Sequence, residues 1–277
     1  MPEKYIDLHL HSNASDGTYP PAEVYRRASG AGLSAFALTD HDSLEGYDEI
    51  VGQVDADLIE LIPAIELSGY WKGEDLHILA YLVDPESPEL REKLAQFKTN
   101  REKRAEAMVE KINGMGVPLE MESVRQVAGR STIGRPHVAE ALIRAGVIKN
   151  FDEAFQRFIG ARCPAYEPKR YISVPEAIDV IHQGGGLAVF AHPGLLNRDD
   201  LLVDLLEMGL DGIEAFHSQH DAYRTNHYIQ TAQKYGLVYT GGSDCHGDRK
   251  GRPLIGKIKV PYQCLTMLKK AREIRFR

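Results

Sequence analysis

The sequence predicts an α/β protein, a barrel of strands and helices that carries a helical insert. Three observations predict it. Short apolar runs alternate with helical stretches along most of the chain, the order of a mainly parallel sheet with crossover helices. Metal-type side chains gather where those apolar runs end, and a (β/α) barrel carries its site at the C-terminal ends of its strands. One segment, 88–164, breaks the alternation and reads as helices only.

The first strand is expected over Tyr5–Leu10, followed by a helix near Pro21–Ala31. A strand at Ala35–Leu38 precedes a helix near Leu44–Val54. Leu58–Pro63 leads into Ile65–Tyr70, and His77–Val83 follows across a Lys72-Gly73-Glu74 turn. Later strands at Leu187–Ala191, Gly212–Phe216 and Val238–Thr240 sit among helices at Pro175–His182, Asp199–Glu207 and Asp221–Tyr235. The insert reads as helices over Glu89–Met115, Met121–Ala128, Arg135–Ala145 and Asp152–Phe158, with Gly114, Gly116, Gly129 and Gly146 as stops. The chain therefore divides into a catalytic barrel, 1–87 and 165–277, and an insert, 88–164, that is either a stabilising cap or a substrate lid.

With 43% hydrophobic residues the chain can bury a substantial core. The formal charge of −7, from 33 Lys+Arg against 40 Asp+Glu, opposes the broad basic surface that duplex DNA requires. Cys163, Cys245 and Cys264 lack Cys-x-x-Cys spacing, and their odd number argues for a reducing cytoplasm over a disulfide framework. The start of the chain lacks a signal-peptide pattern. No apolar run approaches the roughly 20 residues that cross a bilayer, so no membrane partner is expected.

In Asp7-Leu8-His9-Leu10-His11, two imidazoles stand two positions apart on a strand. They face the same way and can share an ion. A solvated strand face explains most isolated His-x-His pairs, but here further clusters follow. They are Asp16, Thr39-Asp40-His41, Glu66, His77, Ala191-His192-Pro193 and Ser243-Asp244-Cys245-His246. Each is expected at or just beyond a strand end, where solvent and substrate meet. Together, His9, His11, Asp16, His41, Glu66, His77, His192, Asp244 and His246 read as ligands of a multinuclear metal hydrolase. Imidazole mixed with carboxylate, without a thiolate cluster, suits Mn2+, with Zn2+ and Fe2+ as alternatives. Two to three ions are expected, with Glu66 the natural bridge. Paired ions can activate water and steady both attacking and leaving oxygens. Cys245 points away from Asp244 and His246 on an extended segment and is expected to pack. Asp40 is expected to orient a histidine or to cap the next helix.

The order His9-x-His11, Asp16-Gly17, Thr39-Asp40-His41, Glu66, His77, Ala191-His192-Pro193 and Ser243-Asp244-x-His246 resembles the PHP (polymerase and histidinol phosphatase) family. The resemblance spans nearly the whole chain outside the insert. It implies a distorted (β/α)7 barrel with a trinuclear site. One ion would sit on His9, His11, Glu66 and Asp244, a second on Glu66, His77 and His192, and a third on Asp16, His41 and His246. Many members have His where this chain has Asp16, which bears on affinity at the third position. The insert's Gly134-Arg135-Pro136-His137-Val138-Ala139 is similar to the subgroup of 3′,5′-nucleoside bisphosphate phosphatases and 5′→3′ exoribonucleases. That likeness implies a metal-dependent phosphoesterase that removes the 3′-phosphate of a small nucleotide carrying a 5′-phosphate. Short 5′-phosphorylated RNA is a further expected substrate.

Such a substrate needs cations besides the metals. Arg101 and Arg104 are three apart on the insert's first helix and share a face; the alternative is a solvated face beside Glu102 and Glu106. Arg135 and His137 open a helix after Gly134, where anions are favoured, and Arg matches phosphate bidentately. Gly247-Asp248-Arg249-Lys250-Gly251-Arg252 and Lys169-Arg170-Tyr171 are rim charge or ordinary solvated loops. His217 follows an apolar run and would emerge at the catalytic face as general acid for a leaving alkoxide. His220 and His227 are expected on the next helix, at the surface. The rival readings are a histidinol-phosphate-type phosphatase, an amidohydrolase-like C–N hydrolase and, in a different class, a metal-bound nucleotide or RNA sensor without turnover.

Overall fold

In the computed structural model, which describes residues 3–168, 172–196, 198–249 and 251–277, the apolar runs become strands covered on both faces. Ala35–Leu38 and Leu187–Phe190 are buried at every position, as barrel strands under a layer of helices must be. The strands are β1 (Tyr5–Leu10), β2 (Ala35–Leu38), β3 (Glu60–Trp71), β4 (Glu74–Tyr81), β5 (Leu187–Phe190), β6 (Gly212–His217), β7 (Val238–Gly242) and the short β8 (Val260–Pro261). Around them lie α1 (Pro21–Gly30), α2 (Glu45–Ile50), α7 (Val174–Gln183), α8 (Leu201–Glu207), α9 (Ala222–Tyr235) and α10 (Gln263–Arg275). The insert contributes α3 (Pro88–Gly114), α4 (Met121–Ala128), α5 (Arg135–Arg144) and α6 (Phe151–Ala154), which continues as a π-helical turn over Phe155–Ile159.

The sheet runs β7-β6-β5-β4-β3-β2-β1-β8. Strands β1, β2 and β3 are parallel, as are β5, β6 and β7. β4 is antiparallel to both its neighbours. The reversal is dictated locally: Lys72 (φ 46°) and Gly73 (φ 92°) form a two-residue connection with both φ positive, and such a connection can only join a hairpin. The barrel nearly closes where the chain after β7 returns to β1. There Asp244 N–H donates to His9 O at 2.9 Å, and His11 N–H donates to Cys245 O at 3.0 Å. Gly242 makes this approach possible, because a Cβ there would stand 2.3 Å from the His9 nitrogen. Closure therefore lays Ser243–His246 directly beside the His-x-His strand.

The sequence divides Leu58–Tyr70 into two runs, but the structure joins them as the single 12-residue β3. The sequence also leaves β8 and α10 unassigned. Only Cys264, Leu265 and Leu268 of α10 are buried, a stripe too thin to stand out among Lys269, Lys270 and Arg272. The insert has its own core, including Met108, Ile112, Val124, Val138, Leu142 and Phe158. The first turns of α3 belong to the barrel instead, since Leu90, Leu94 and Phe97 pack into its core. Thus α3 roots the insert and carries it over the site. Among the described residues, no helix is long and apolar enough to cross a membrane.

Candidate metal centre and substrate cleft

Glu66 is buried at the centre of the site, and its two oxygens face different histidines. Oε1 lies 2.7 Å from His77 Nδ1 and 3.0 Å from His192 Nε2. Oε2 lies 3.4 Å from His9 Nε2, 3.2 Å from His11 Nε2 and 3.1 Å from His41 Nδ1. On the other side, Asp16 Oδ1 is 3.3 Å from His246 Nε2 and 3.9 Å from both His11 Nδ1 and His41 Nε2. All the expected ligands converge, but not all from C-terminal strand ends. Glu66 lies in mid-β3 and His77 is the fourth of the eight residues of β4. Because β4 runs backwards, its beginning reaches the same end of the barrel as the C-termini of its neighbours.

These atoms fit divalent ions. His9 Nδ1 faces Glu214 Oε1 at 2.9 Å, which keeps the ring proton there and leaves a lone pair on Nε2. That Nε2 stands 3.2–3.6 Å from His11 Nε2, Glu66 Oε2 and Asp244 Oδ1. His11 Nε2 in turn stands 3.2 Å from Glu66 Oε2 and 3.3 Å from Asp244 Oδ1. His9 Nε2, His11 Nε2 and Asp244 Oδ1 thus stand close enough together to share one ion, with Glu66 Oε2 beside both imidazoles. Ligand groups overlap: His11 joins His9 and Asp244 in one, and Asp16, His41 and His246 in another, while His41 also stands with Glu66 and His77. His11 Nδ1, Asp16 Oδ1 and His192 Nδ1 are buried without a hydrogen-bond partner. Asp244 (φ 52°) and His192 (φ 31°) adopt left-handed backbone that costs a non-glycine residue about 1–3 kcal/mol and recurs at functional sites.

Burial alone would raise the Glu66 and Asp16 carboxyls, yet the surrounding imidazoles hold both well below the usual range. Burial would likewise lower His11, but Asp244 and Glu66 hold it up at about 9. A histidine raised on folding stabilises fully below its unfolded value near 6.5, and that contribution is lost as pH climbs through about 9. The metal-stripped protein should therefore lose thermal stability between pH 7 and 9, read as a falling Tm. Adding metal at pH 7 should release protons from a weakly buffered sample. A Tm that rises over that interval would contradict this protonation pattern.

Several residues around the ligands act differently from the sequence expectation. Asp40 orients no imidazole and caps no helix. It accepts Ser12 N–H at 2.8 Å and the Ser12 and Ser15 hydroxyls, fixing the loop that carries Asp16. Gly46 gives it room, since a Cβ there would meet Asp40 Oδ2 at 2.1 Å. Cys245 packs in the core, as expected. His217 Nδ1 accepts the Gln219 N–H, so a neutral ring carries its proton on Nε2, 3.5 Å from Asp244 Oδ2. The ring is buried beside Asp244. His220 precedes α9, because Asp221 is the N-cap, and accepts the Gly194 N–H beneath the His192 loop. Half-buried His227 lies on α9, 2.9 Å from Asp199 Oδ2.

Sequence reasoning missed Glu214. It is wholly buried on β6 and accepts both His9 Nδ1–H and, at 2.7 Å, the His192 backbone N–H. The available signal was a lone carboxylate inside the apolar run Gly212–Phe216.

Above the metal ligands lies a cleft of about 560 Å³, roofed by the insert. Arg101 and Arg104 do share an inward face, and Glu102 and Glu106 face outward to Arg125. Arg101, however, is buried in an ion pair with Asp42 and donates to Ser68 Oγ at 2.9 Å. It ties α3 to the barrel while lining the cleft. His137 is likewise engaged: its Nδ1 accepts the Gly134 N–H at 3.0 Å and closes the start of α5. Burial pushes it down to about 4, so the ring is neutral. Arg104 lines the cleft and donates to Glu167 O at 2.6 Å. Arg135 lines it with its guanidinium 5.4 Å from the Phe155 ring and 5.6 Å from the Tyr166 ring. Lys169-Arg170-Tyr171 and Lys250 lie outside the described residues.

The chain belongs to the PHP family and is a metal-dependent phosphoesterase; residues 7–118 match the PHP domain. Over most of its length it is similar to proteins of related but distinct activities. It is 34% identical over 251 residues to a 5′-3′ exoribonuclease of Haemophilus influenzae, covering 89% of this chain and 91% of that one. It is 30% identical to a 3′,5′-nucleoside bisphosphate phosphatase of Chromobacterium violaceum, covering 94% and 93%. It is 31% identical to a phosphoribosyl 1,2-cyclic phosphate 1,2-diphosphodiesterase of Eggerthella lenta, covering 92% and 98%. A solved structure assigned as a metal-dependent phosphoesterase of Bifidobacterium adolescentis superposes with a TM-score of 0.87 at 29% identity, covering 98% and 97%.

Proposed function

We propose that the chain hydrolyses the 3′-phosphate of nucleoside 3′,5′-bisphosphates, releasing the nucleoside 5′-monophosphate, and trims short 5′-phosphorylated RNA by the same attack. The observation that carries this reading is Arg135. Its half-buried guanidinium faces the metal cleft, rests on two aromatic rings and makes no hydrogen bond with the described residues. One cleft thus offers a metal centre for one phosphate and a free cation for another. Phe151 and Phe155 on the same roof give a nucleobase a face to stack on. The names of the two nucleotide-processing relatives point the same way.

His9, His11, Asp16, His41, Glu66, His77, His192, Asp244 and His246 would hold two to three ions. Mn2+ is the ion we favour for this mixture of imidazole and carboxylate. Such ions, when bound, polarise phosphoryl oxygens and acidify water. Glu66 spans the positions, Glu214 fixes the His9 tautomer, His217 steadies Asp244, and Arg135, helped by Arg104, holds the 5′-phosphate. Three free cysteines suit action in the cytoplasm.

The test pairs a substrate panel with one variant. Phosphate release from a nucleoside 3′,5′-bisphosphate should exceed that from histidinol phosphate or hydrolysis of a 1,2-cyclic sugar phosphate, and ammonia release from amide substrates should be absent. In Arg135→Ala, kcat/KM for the bisphosphate should fall about 10- to 150-fold, the worth of one charge-assisted contact. A nucleoside 3′-monophosphate, lacking the 5′-phosphate, should lose far less. Equal losses would remove the assignment.

A further inference from the structure

A second groove, of about 1290 Å³, begins where the metal ligands end. It runs between the loop around Asn13–Ser15 and the insert, and none of the candidate metal ligands lines it. It meets the metal cleft at Arg249, which lines both spaces, and His137 lines the groove alone. His137 is committed to capping α5; Arg249 is not committed. Its Nε and Nη1 are buried and have no hydrogen-bond partner among the described residues. A guanidinium stays charged, and leaving its buried donors unsatisfied is unfavourable unless a ligand completes them. The other large cations of the groove are different. Lys98 pairs with Glu45 and Arg125 with Glu102 and Glu106, while Arg130 is exposed.

The mounting of Arg249 repeats that of Arg135. Arg249 lies 5.0 Å from the Phe151 ring, and Arg135 lies 5.4 Å from the Phe155 ring. Phe151 and Phe155 are four residues apart on continuous helix, so they are neighbours on one face. The Phe151–Phe155 row thus carries one guanidinium on each ring, Arg135 lining the metal cleft and Arg249 lining both the cleft and the groove.

We propose that the second groove receives the nucleotide chain on the 3′ side of the scissile phosphate, and that Arg249 binds the next phosphate along. This rests on the nucleotide reading above. Water would add its oxygen to the linking phosphorus and the P–O3′ bond would break. The 3′-oxygen takes the proton, so the first nucleotide leaves as a 5′-monophosphate. The remaining chain keeps a 5′-phosphate and can be bound again.

The experiment compares the metal-loaded enzyme on a nucleoside 3′,5′-bisphosphate and on a 5′-phosphorylated trinucleotide. In Arg249→Ala, the ratio of kcat/KM for trinucleotide over bisphosphate should fall about tenfold or more, carried by KM. Arg249→Lys should recover part of it. Binding of a trinucleotide with a non-hydrolysable first linkage should show a salt slope shallower by about 0.7 in Arg249→Ala, because one phosphate fewer is neutralised by the protein. If the wild type turns over the bisphosphate but the ratio and the slope do not move, the groove assignment falls and the nucleotide reading stands. If the wild type hydrolyses other phosphate esters but neither nucleotide, both fall.

Discussion

Glu66→Ala should lose metal and activity together. Each of its oxygens faces a separate set of histidines, Oε1 toward His77 and His192 and Oε2 toward His9, His11 and His41. One substitution therefore removes a ligand from more than one position and leaves buried imidazoles crowded without their shared anion. Loss of the Lewis-acid contribution is worth several kcal/mol, so kcat should drop on the order of 10³-fold or more. Excess metal should not restore it, because the bridge itself is missing. Metal content by elemental analysis, with circular dichroism as the folding control, checks this. A folded Glu66→Ala protein with full metal occupancy would remove the bridging role.

Much of that centre was legible in the sequence, for a physical reason. Strand periodicity aims His9 and His11 the same way whatever surrounds them, and short apolar strands place His41, His192, Asp244 and His246 just past their ends. Residues whose role depends on a partner far along the chain were not legible. The pairing of Arg101 with Asp42 is an instance, since it does not follow from local spacing, and the bond from Gly134 N–H to the His137 ring was not legible either. His77 stands among the candidate ligands by a different geometry from the one the sequence suggests, since it lies within the reversed strand β4, opposite Ser68, and not beyond a C-terminal strand end. The Phe151–Phe155 row was hidden because its first member opens a four-residue helix and its second a π turn, where neither strand nor α-helix periodicity singles it out.

Glu214→Gln should weaken metal binding while leaving the fold intact. The carboxylate meets two donors, one per oxygen: His9 Nδ1–H on Oε1 and His192 N–H on Oε2. Burial alone would raise its pKa, but His9 beside it holds it below the usual range, so the group is ionised. Glutamine keeps the shape but offers one acceptor oxygen and one NH2. If the oxygen stays with His192, the NH2 faces His9 Nδ1, which must become the lone-pair nitrogen. Nε2 then carries a proton toward His11 and Asp244, the ligands with which it would share an ion. If the oxygen turns to His9 instead, the His192 backbone, held at φ 31°, loses its restraint. Either outcome disturbs a metal ligand without removing one. Apparent metal affinity should fall about 10- to 100-fold, the usual effect of a partner that orients a ligating histidine. Unlike Glu66→Ala, this variant should recover most of its kcat when metal is raised, because every ligand remains. Titrating activity against free metal separates the cases. Wild-type metal affinity with a kcat that stays low at saturating metal would show that Glu214 does not act through His9 and His192.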